Sequence, residues 1–297
     1  VTGIEVRNLT KRYGPITAVD TLSFTVRPGA VTAFLGPNGA GKTTTLRMMI
    51  DHVAPTSGSV TICGRRYRDL PRPTTVVGAV FDASAFHPHH SARDHLRIYA
   101  AMGGFPDGRV QELLTLLGLA DAAERRTGGF STGMRQRLNL ATALLGDPRV
   151  LLLDEPSNGL DPEGTAWLRS FLRDLADDGR TILISSHVLS EVQQIADDVV
   201  VIRQGRLLTA GPLHELTGTA QAVLVRSPDS AELSRILMRH AQAVRADGPD
   251  ELRVRGLDAA RIADLAAGQG LRIHGLTSEH PSLEQIFLDL AGERTNG

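Results

Sequence analysis

Residues 31–50 constrain this chain more than any other stretch. A short run, Val31-Thr32-Ala33-Phe34-Leu35, passes directly into Gly36-Pro37-Asn38-Gly39-Ala40-Gly41-Lys42-Thr43. The mostly apolar run reads as a strand buried on both faces. The glycines let backbone N–H groups turn inward and approach a ligand that bulky side chains would obstruct. Two glycines, a lysine and a Ser/Thr at this spacing form the phosphate-cradling pattern, provided a strand precedes it and a helix follows. A helix expected over 42–50 meets that condition and adds the positive end of its dipole. Lys42 would then neutralise charge at the β- and γ-phosphates, the Thr43 hydroxyl would ligate Mg²⁺, and Thr44 would bond an adjacent phosphate oxygen. Lys11 and Lys42 are the only lysines in the chain, every other strong base being arginine, and one of them falls where the loop calls for lysine.

A second apolar run, Val150-Leu151-Leu152-Leu153, ends in Asp154-Glu155. A carboxylate at the end of a buried strand is costly unless it serves a cation or a hydrogen-bond network. A Mg²⁺ site supplies both reasons for Asp154. Glu155, one residue further, is aimed differently and can take a proton from an attacking water, help worth roughly 10²- to 10⁴-fold in rate. A third segment, Phe130-Ser131-Thr132-Gly133-Met134, opens a helix entered at Ser131, on which Met134, Leu138, Ala141 and Leu145 recur at helical spacing.

Around these motifs the chain alternates. Residues 4–6 and 22–26 read as strands, and Pro28-Gly29 as the turn before the next strand. The pattern turns helical between about 84 and 146. Strand and helix then alternate over 150–153, 162–176, 181–184, 188–196 and 199–202, which argues for a largely parallel sheet flanked by helices. Asp161-Pro162 marks a helix start, an N-cap carboxylate followed by proline. Beyond residue 219 the expected order is strand 222–226, helix 231–240, a weak strand at 243–245, strand 252–255, helix 259–267, strand 271–274 and helix 282–290. That is a small ferredoxin-like βαββαβ unit. The predicted architecture is therefore α/β, a mostly parallel core with an antiparallel N-terminal region, in a large domain over 1–218 and a small α+β domain over 219–297.

Bulk properties narrow the function. A net charge of −1 and a pI near 6.9 provide no global field for nucleic acid or anionic lipid. Cys63 is the only cysteine, so no disulfide forms within the chain and a reducing compartment fits. No apolar run approaches the roughly 18 residues that span a bilayer. The opening Val1-Thr2-Gly3-Ile4-Glu5 has no charged-then-apolar leader, so a cytosolic-type chain is expected, with any membrane role borrowed from a partner. His87, His89 and His90 sit in a Pro-containing loop without cysteine or a carboxylate triad, which favours a loop over a metal site. Asp177-Asp178 and Asp197-Asp198 read as solvated helix ends.

The loop around Lys42, the segment 130–134, Asp154-Glu155, Ser157-Asn158-Gly159-Leu160-Asp161 and His187 occur in the order of the ATP-binding-cassette (ABC) family, which residues 4–218 resemble. The resemblance implies the P-loop ABC ATPase fold with a helical subdomain, ATP and Mg²⁺ as cofactors, and nucleotides bound between two head-to-tail cassettes. It implies that Ser131 and Gly133 grip the γ-phosphate held by the other subunit. His187 would contact the γ-phosphate of its own subunit, Asp161 would link the two sites, and Tyr13 would stack on adenine. Each has a plainer reading: a strand-end histidine, a half-buried strand tyrosine, a serine that is only an N-cap. Two departures stand out. Thr132 and Met134 replace a glycine and a glutamine of the family's signature, and Asp82 is the nearest polar group where the family places a glutamine. A carboxylate at 82 can still engage Mg²⁺ or its water.

Within the family, Asp82, the altered signature and the ending Pro281-Ser282-Leu283-Glu284-Gln285-Ile286-Phe287 resemble drug-resistance exporter ATPases of the daunorubicin and bacitracin type. These work with a separate six-helix permease. The resemblance implies an energising subunit of an efflux pump, as a dimer on the cytoplasmic face of the cell membrane, with no nucleic acid as partner. The alternatives are a soluble ATP-driven clamp on nucleic acid or ribosomes and an importer ATPase. Clamps tend to carry coiled-coil insertions or two fused cassettes, and neither is present here.

Overall fold

The computed structural model describes residues 3–81, 86–218 and 222–279. The chain divides into two compact units between Gly211 and Pro212, and each is described by itself.

In the first unit, β1 (Ile4–Tyr13) and β2 (Ile16–Val26) pair antiparallel, and β4 (Ser57–Ile62) adds to the other edge of β1. The second sheet contains β3 (Val31–Leu35), β5 (Val77–Val80), β6 (Val150–Asp154), β7 (Thr181–Ser186), β8 (Asp198–Arg203) and β9 (Arg206–Pro212), in the order β5-β6-β7-β3-β8-β9. Every neighbour pair from β5 to β8 is parallel. β9 follows β8 through Gln204 and Gly205, both at positive φ, as a tight two-residue hairpin turn requires. All of β3 and β7 is buried, as expected of strands covered on both faces.

Helix α1 (Lys42–Met49) contacts β2 and β4 of one sheet and β6 of the other. Its Leu46, Met48 and Met49 join one core with Ile4, Leu22 and Leu152. Phe24 stacks on Phe34 at 5.4 Å and ties the two sheets directly. The strand order sets β3, β7 and β6 side by side. The loop after β3 and the carboxyl ends of β6 and β7 therefore open on the same edge, where an α/β sheet presents its ligand crevice.

A helical layer follows β5: α2 (Ala92–Gly103), α3 (Asp107–Leu116) and α4 (Thr132–Ala143). A capping box starts α2, the Ser91 hydroxyl accepting the Asp94 N–H at 3.0 Å while the Asp94 carboxylate takes the Ser91 N–H at 3.4 Å. His95 of α2 is buried against Thr142, its Nε2 3.1 Å from the hydroxyl. Burial first, then the nearby His90, lowers its pKa to about 4. The unfolded chain binds this proton near pH 6.5 and the folded chain does not until about 4. Stability is therefore full above 6.5 and declines as pH falls towards 4. Urea titrations at pH 7 and pH 5 should differ by on the order of 1–2 kcal/mol from this group. His95→Gln should flatten that difference, and an unchanged slope would show that His95 is not its source.

Helix α5 (Pro162–Asp177) starts where Asp161-Pro162 indicated. The helix expected over 188–196 shrinks to α6 (Leu189–Val192), and turn follows over 193–195, where the Ile195 and Ala196 N–H groups both donate to the Val192 carbonyl. Asp177 and Asp178 close α5 in solvent, as expected, but Asp197 and Asp198 do not. Asp198 is buried at the head of β8, where Arg27 donates to it twice at 2.6 Å. Asp197 accepts from Arg173 and from the Val31 N–H, bonds that hold its carboxyl below the usual range. These carboxylates tie β8 to β3 and α5, so two arginines overturn the solvated reading.

The second unit starts with α7 (Leu213–Gly218) and continues β10 (Ala222–Arg226), α8 (Ser230–Leu237), β11 (Ala243–Ala246), β12 (Glu251–Arg255), α9 (Ala259–Ala267) and β13 (Gly275–Glu279). Its sheet is antiparallel in the order β11-β12-β10-β13, around a core that includes Val225, Leu233, Val254 and Ile262. The last strand lies later than the expected 271–274. Leu271 closes α9 instead, its N–H donating to the Ala266 carbonyl, and the pairing with β10 starts at Gly275. The helix expected over 282–290 and the motif from Pro281 to Phe287 lie outside the described residues.

Candidate nucleotide site

The loop between β3 and α1 has its shape because two glycines leave no room for anything larger. A Cβ on Gly36 would sit 2.5 Å from the Ile202 carbonyl of β8. One on Gly41 would sit 2.5 Å from the Ala18 carbonyl, and Gly41 also holds a left-handed φ of +103°. Between them the Ala40 N–H donates to the Pro37 carbonyl at 3.1 Å and fixes the turn. Helix α1 begins at Lys42 with no side-chain cap, so the first N–H groups of the helix are left to a ligand. A cavity of about 300 Å³ opens here, lined by Ala18, Asn38, Gly39, Ala40, Gly41, Lys42, Thr43, Thr44, Glu155, Asn158 and His187.

Lys42 is buried, 6% exposed, with its ammonium donating to the Gly36 carbonyl at 2.7 Å and the Pro37 carbonyl at 3.4 Å. The Glu155 carboxylate stands 3.2 Å from the same ammonium and, through its other oxygen, 2.8 Å from His187 Nδ1. An ionised carboxylate only accepts, so Nδ1 carries the proton of that bond and Nε2 is the nitrogen left for a ligand. One residue earlier, Thr43 donates its hydroxyl to Asp154 Oδ2 at 2.7 Å and Ser185 donates to Asp154 Oδ1 at 2.6 Å. Ser185 in turn accepts the Glu155 N–H at 2.9 Å. Thr43 and Asp154 thus present only oxygen donors beside the phosphate loop, the hard set that suits Mg²⁺.

Lys42, Thr43, Thr44, Glu155 and His187 therefore converge on one cavity, with Asp154 behind Thr43. Ser131, Gly133, Asp161 and Tyr13 are not among its lining residues. Ser131 caps α4, its hydroxyl accepting the Met134 N–H at 3.3 Å. Gly133 is half-buried, and a Cβ there would make an ordinary contact with Leu160 Cδ2 at 3.7 Å. Asp161 accepts the Gly164 N–H at 2.7 Å as the cap of α5. Tyr13 ends β1 about half exposed, beneath the Lys11 ammonium. Asp82 lies outside the described residues. His87, His89 and His90 occupy the turn before α2, with His87 stacked on His90. Among the described residues no three or more His, Cys, Asp and Glu side chains cluster as a metal-ligand group.

Sequence reasoning missed Ala18, Asn158 and Ser185. Ala18 arrives from β2 and carries no motif. Asn158 had a signal in its nearness to Glu155, whose carbonyl accepts the Asn158 N–H at 3.1 Å. Ser185 had one too, a hydroxyl near the end of an apolar strand, but its partner Asp154 appears only once β6 and β7 are in register.

Comparison with known proteins agrees with this geometry. The profile of the ABC transporter family matches residues 19–158, and that of a domain of unknown function matches 221–284. A bacitracin transport ATP-binding protein of Bacillus licheniformis is 35% identical over 302 residues, which cover 99% of each chain. A Nod factor export ATP-binding protein of Burkholderia lata is 34% identical over 98% of each chain. A solved ATP binding subunit of an ABC transporter superposes with a TM-score of 0.66 at 27% identity, covering 73% of this chain and 92% of that one. With near-complete coverage at this identity, and a phosphate loop facing paired carboxylates, the chain belongs to the ABC transporter family as an ATP-binding, ATP-hydrolysing subunit.

Proposed function

We propose that this chain energises an efflux pump, with two copies closing around shared ATP and hydrolysis releasing them to drive a separate membrane permease. One observation carries the reading. Lys42, Thr43, Glu155 and His187 surround one cavity, whereas Ser131, exposed as the cap of α4, and the half-buried Gly133 in its first turn do not line it. This separation supports a reading in which a single chain holds one half of each of two sites and a second copy supplies the missing half. Efflux is supported by relatives named for bacitracin transport and Nod factor export. A separate permease is supported by the described residues, where no helix is long and apolar enough to cross a membrane. The subunit then works at the cytoplasmic face of the membrane, and a net charge of −1 gives no reason to expect nucleic acid.

In this reading the loop N–H groups and Lys42 bind the β- and γ-phosphates, exchanging the Lys42–Glu155 contact for phosphate oxygens. Thr43 and Asp154 would hold Mg²⁺, which when bound would supply positive charge against that developing on the phosphates. Glu155 accepts the proton of the attacking water. His187, oriented through Nδ1 by Glu155, offers Nε2 to the γ-phosphate. Tyr13 packs on the adenine, and Asp161 fixes the start of α5 near the second copy. A nucleotide-binding domain over 1–218 and a C-terminal accessory domain over 219–297 complete the reading, supported by the division of the chain into two compact units at a nearby point, between Gly211 and Pro212.

Ser131→Arg tests the shared site. It should lower ATPase turnover by at least about 10²-fold, the scale of losing one stabilising donor at the reacting group. ATP affinity of the isolated subunit, measured by fluorescence titration, should remain unchanged. Wild-type turnover in the purified variant would sink the two-copy model.

A further inference from the structure

We propose that Ser185 is a positioning residue for hydrolysis: one buried hydroxyl holds the cation-facing Asp154 and the base Glu155 in register. The inference rests on the roles given to Asp154 and Glu155 above. Ser185 is fully buried, 0% exposed, near the end of the strand that precedes His187. Asp154 is its direct neighbour across the parallel β6–β7 pair. A hydroxyl has one proton to give and lone pairs to accept with. Here the proton goes to Asp154 Oδ1 at 2.6 Å, and a lone pair takes the Glu155 N–H at 2.9 Å.

Both bonds matter because of what the backbone does at this point. Strand β6 ends at Asp154, and Glu155 adopts a φ of +48°, the left-handed region that a side chain of this size seldom occupies. Such a conformation persists only where the surroundings over-determine it. Ser185 supplies that constraint at the N–H of Glu155, whose carboxylate is thereby carried between Lys42 and His187. Asp154 has a different need. Its Oδ2 accepts from Thr43 at 2.7 Å, a bond that must yield when both residues turn to a cation. The Ser185 bond to Oδ1 stays in place and keeps the carboxylate plane from rotating. Groups that orient a metal-facing carboxylate in this way typically contribute 10- to 100-fold in affinity or activity. Ser186 shows the contrast. Its hydroxyl accepts the Val188 N–H at 2.9 Å, two residues along its own chain, and serves the turn after the strand instead.

The experiment compares Ser185→Ala, Ser185→Val and Ser185→Thr in the full chain. Threonine and valine have the same shape and differ in the hydroxyl. Loss of the hydroxyl, in Ala and Val, should lower kcat by about 10- to 100-fold. It should also weaken Mn²⁺ binding to the ATP-loaded protein, followed by electron paramagnetic resonance, by about 10-fold. ATP affinity in EDTA should be unchanged in all three, a result that a merely structural serine would not give alongside the other two. Ser185→Thr should stay close to the wild type in both readouts. The proposal is overturned if Ser185→Ala keeps wild-type kcat and Mn²⁺ affinity, or if the Thr and Val variants fall equally. Should Ser185→Ala fail to fold, the Thr and Val pair decides. Glu155→Gln run alongside separates the two claims. Full turnover there removes the assigned base, whereas an inactive Glu155→Gln beside an active Ser185→Ala removes only the positioning role.

Discussion

Glu155→Gln is expected to bind ATP at least as well as the wild type and to hydrolyse it about 10²- to 10⁴-fold more slowly. In the proposed function the Glu155 carboxylate is the base. One oxygen is 3.2 Å from the Lys42 ammonium, the other 2.8 Å from His187, and the group lies on the wall of the cavity. Glutamine keeps the size and an accepting oxygen but cannot take a proton from water. It also removes a negative charge from a cavity that is to receive a triphosphate, which favours binding. The left-handed backbone at this position is no worse for glutamine than for glutamate. The variant should accumulate as an ATP-held dimer, seen by light scattering as a doubling of mass that reverses when ATP is removed. Normal turnover, with no dimer, would take the base away from Glu155.

Much of the site was legible because its chemistry is local in sequence. The segment from Val31 to Thr43 contains the strand, the turn and the helix start within one short stretch, so spacing alone implies the geometry. Asp161-Pro162 and Ser131 announce their helices for the same reason, since a cap is a contact over three residues. What could not be read is what depends on strand register. Ser185 meets Asp154 only because β6 and β7 are parallel neighbours, and Ala18 reaches Gly41 only because β2 folds over the loop. Asp197 and Asp198 defeat a sequence reading on the same ground, because Arg173 and Arg27, their partners, are remote in sequence. In the second unit the alternation of 271–274 resembles a strand. The closing bond from Leu271 to Ala266 displaces it to Gly275, and periodicity carries no trace of such a bond.

Lys42→Ala is expected to weaken ATP binding by roughly 30- to 1000-fold. Among the residues lining the cavity, Lys42 is the only Lys or Arg, while Glu155 contributes a carboxylate and Asp154 stands just behind Thr43. Charge-assisted hydrogen bonds contribute about 1.5–3 kcal/mol each. Losing the ammonium while leaving the carboxylates in place should cost about 2–4 kcal/mol, or roughly 30- to 1000-fold in Kd. Stability should change little, because alanine suits the first turn of α1 and Glu155 keeps His187 as a partner. A thermal melt without nucleotide therefore separates lost binding from lost fold. Lys42→Arg sharpens the test. It keeps the charge, but the side chain is 6% exposed and wedged between two loop carbonyls and Glu155, where a planar guanidinium does not fit. Little affinity should return. In a chain that otherwise uses arginine almost throughout, a lysine at this position then reflects the width of the phosphate loop as much as its charge. Unchanged ATP binding in Lys42→Ala would remove the nucleotide site itself, and with it every role assigned to the residues around it.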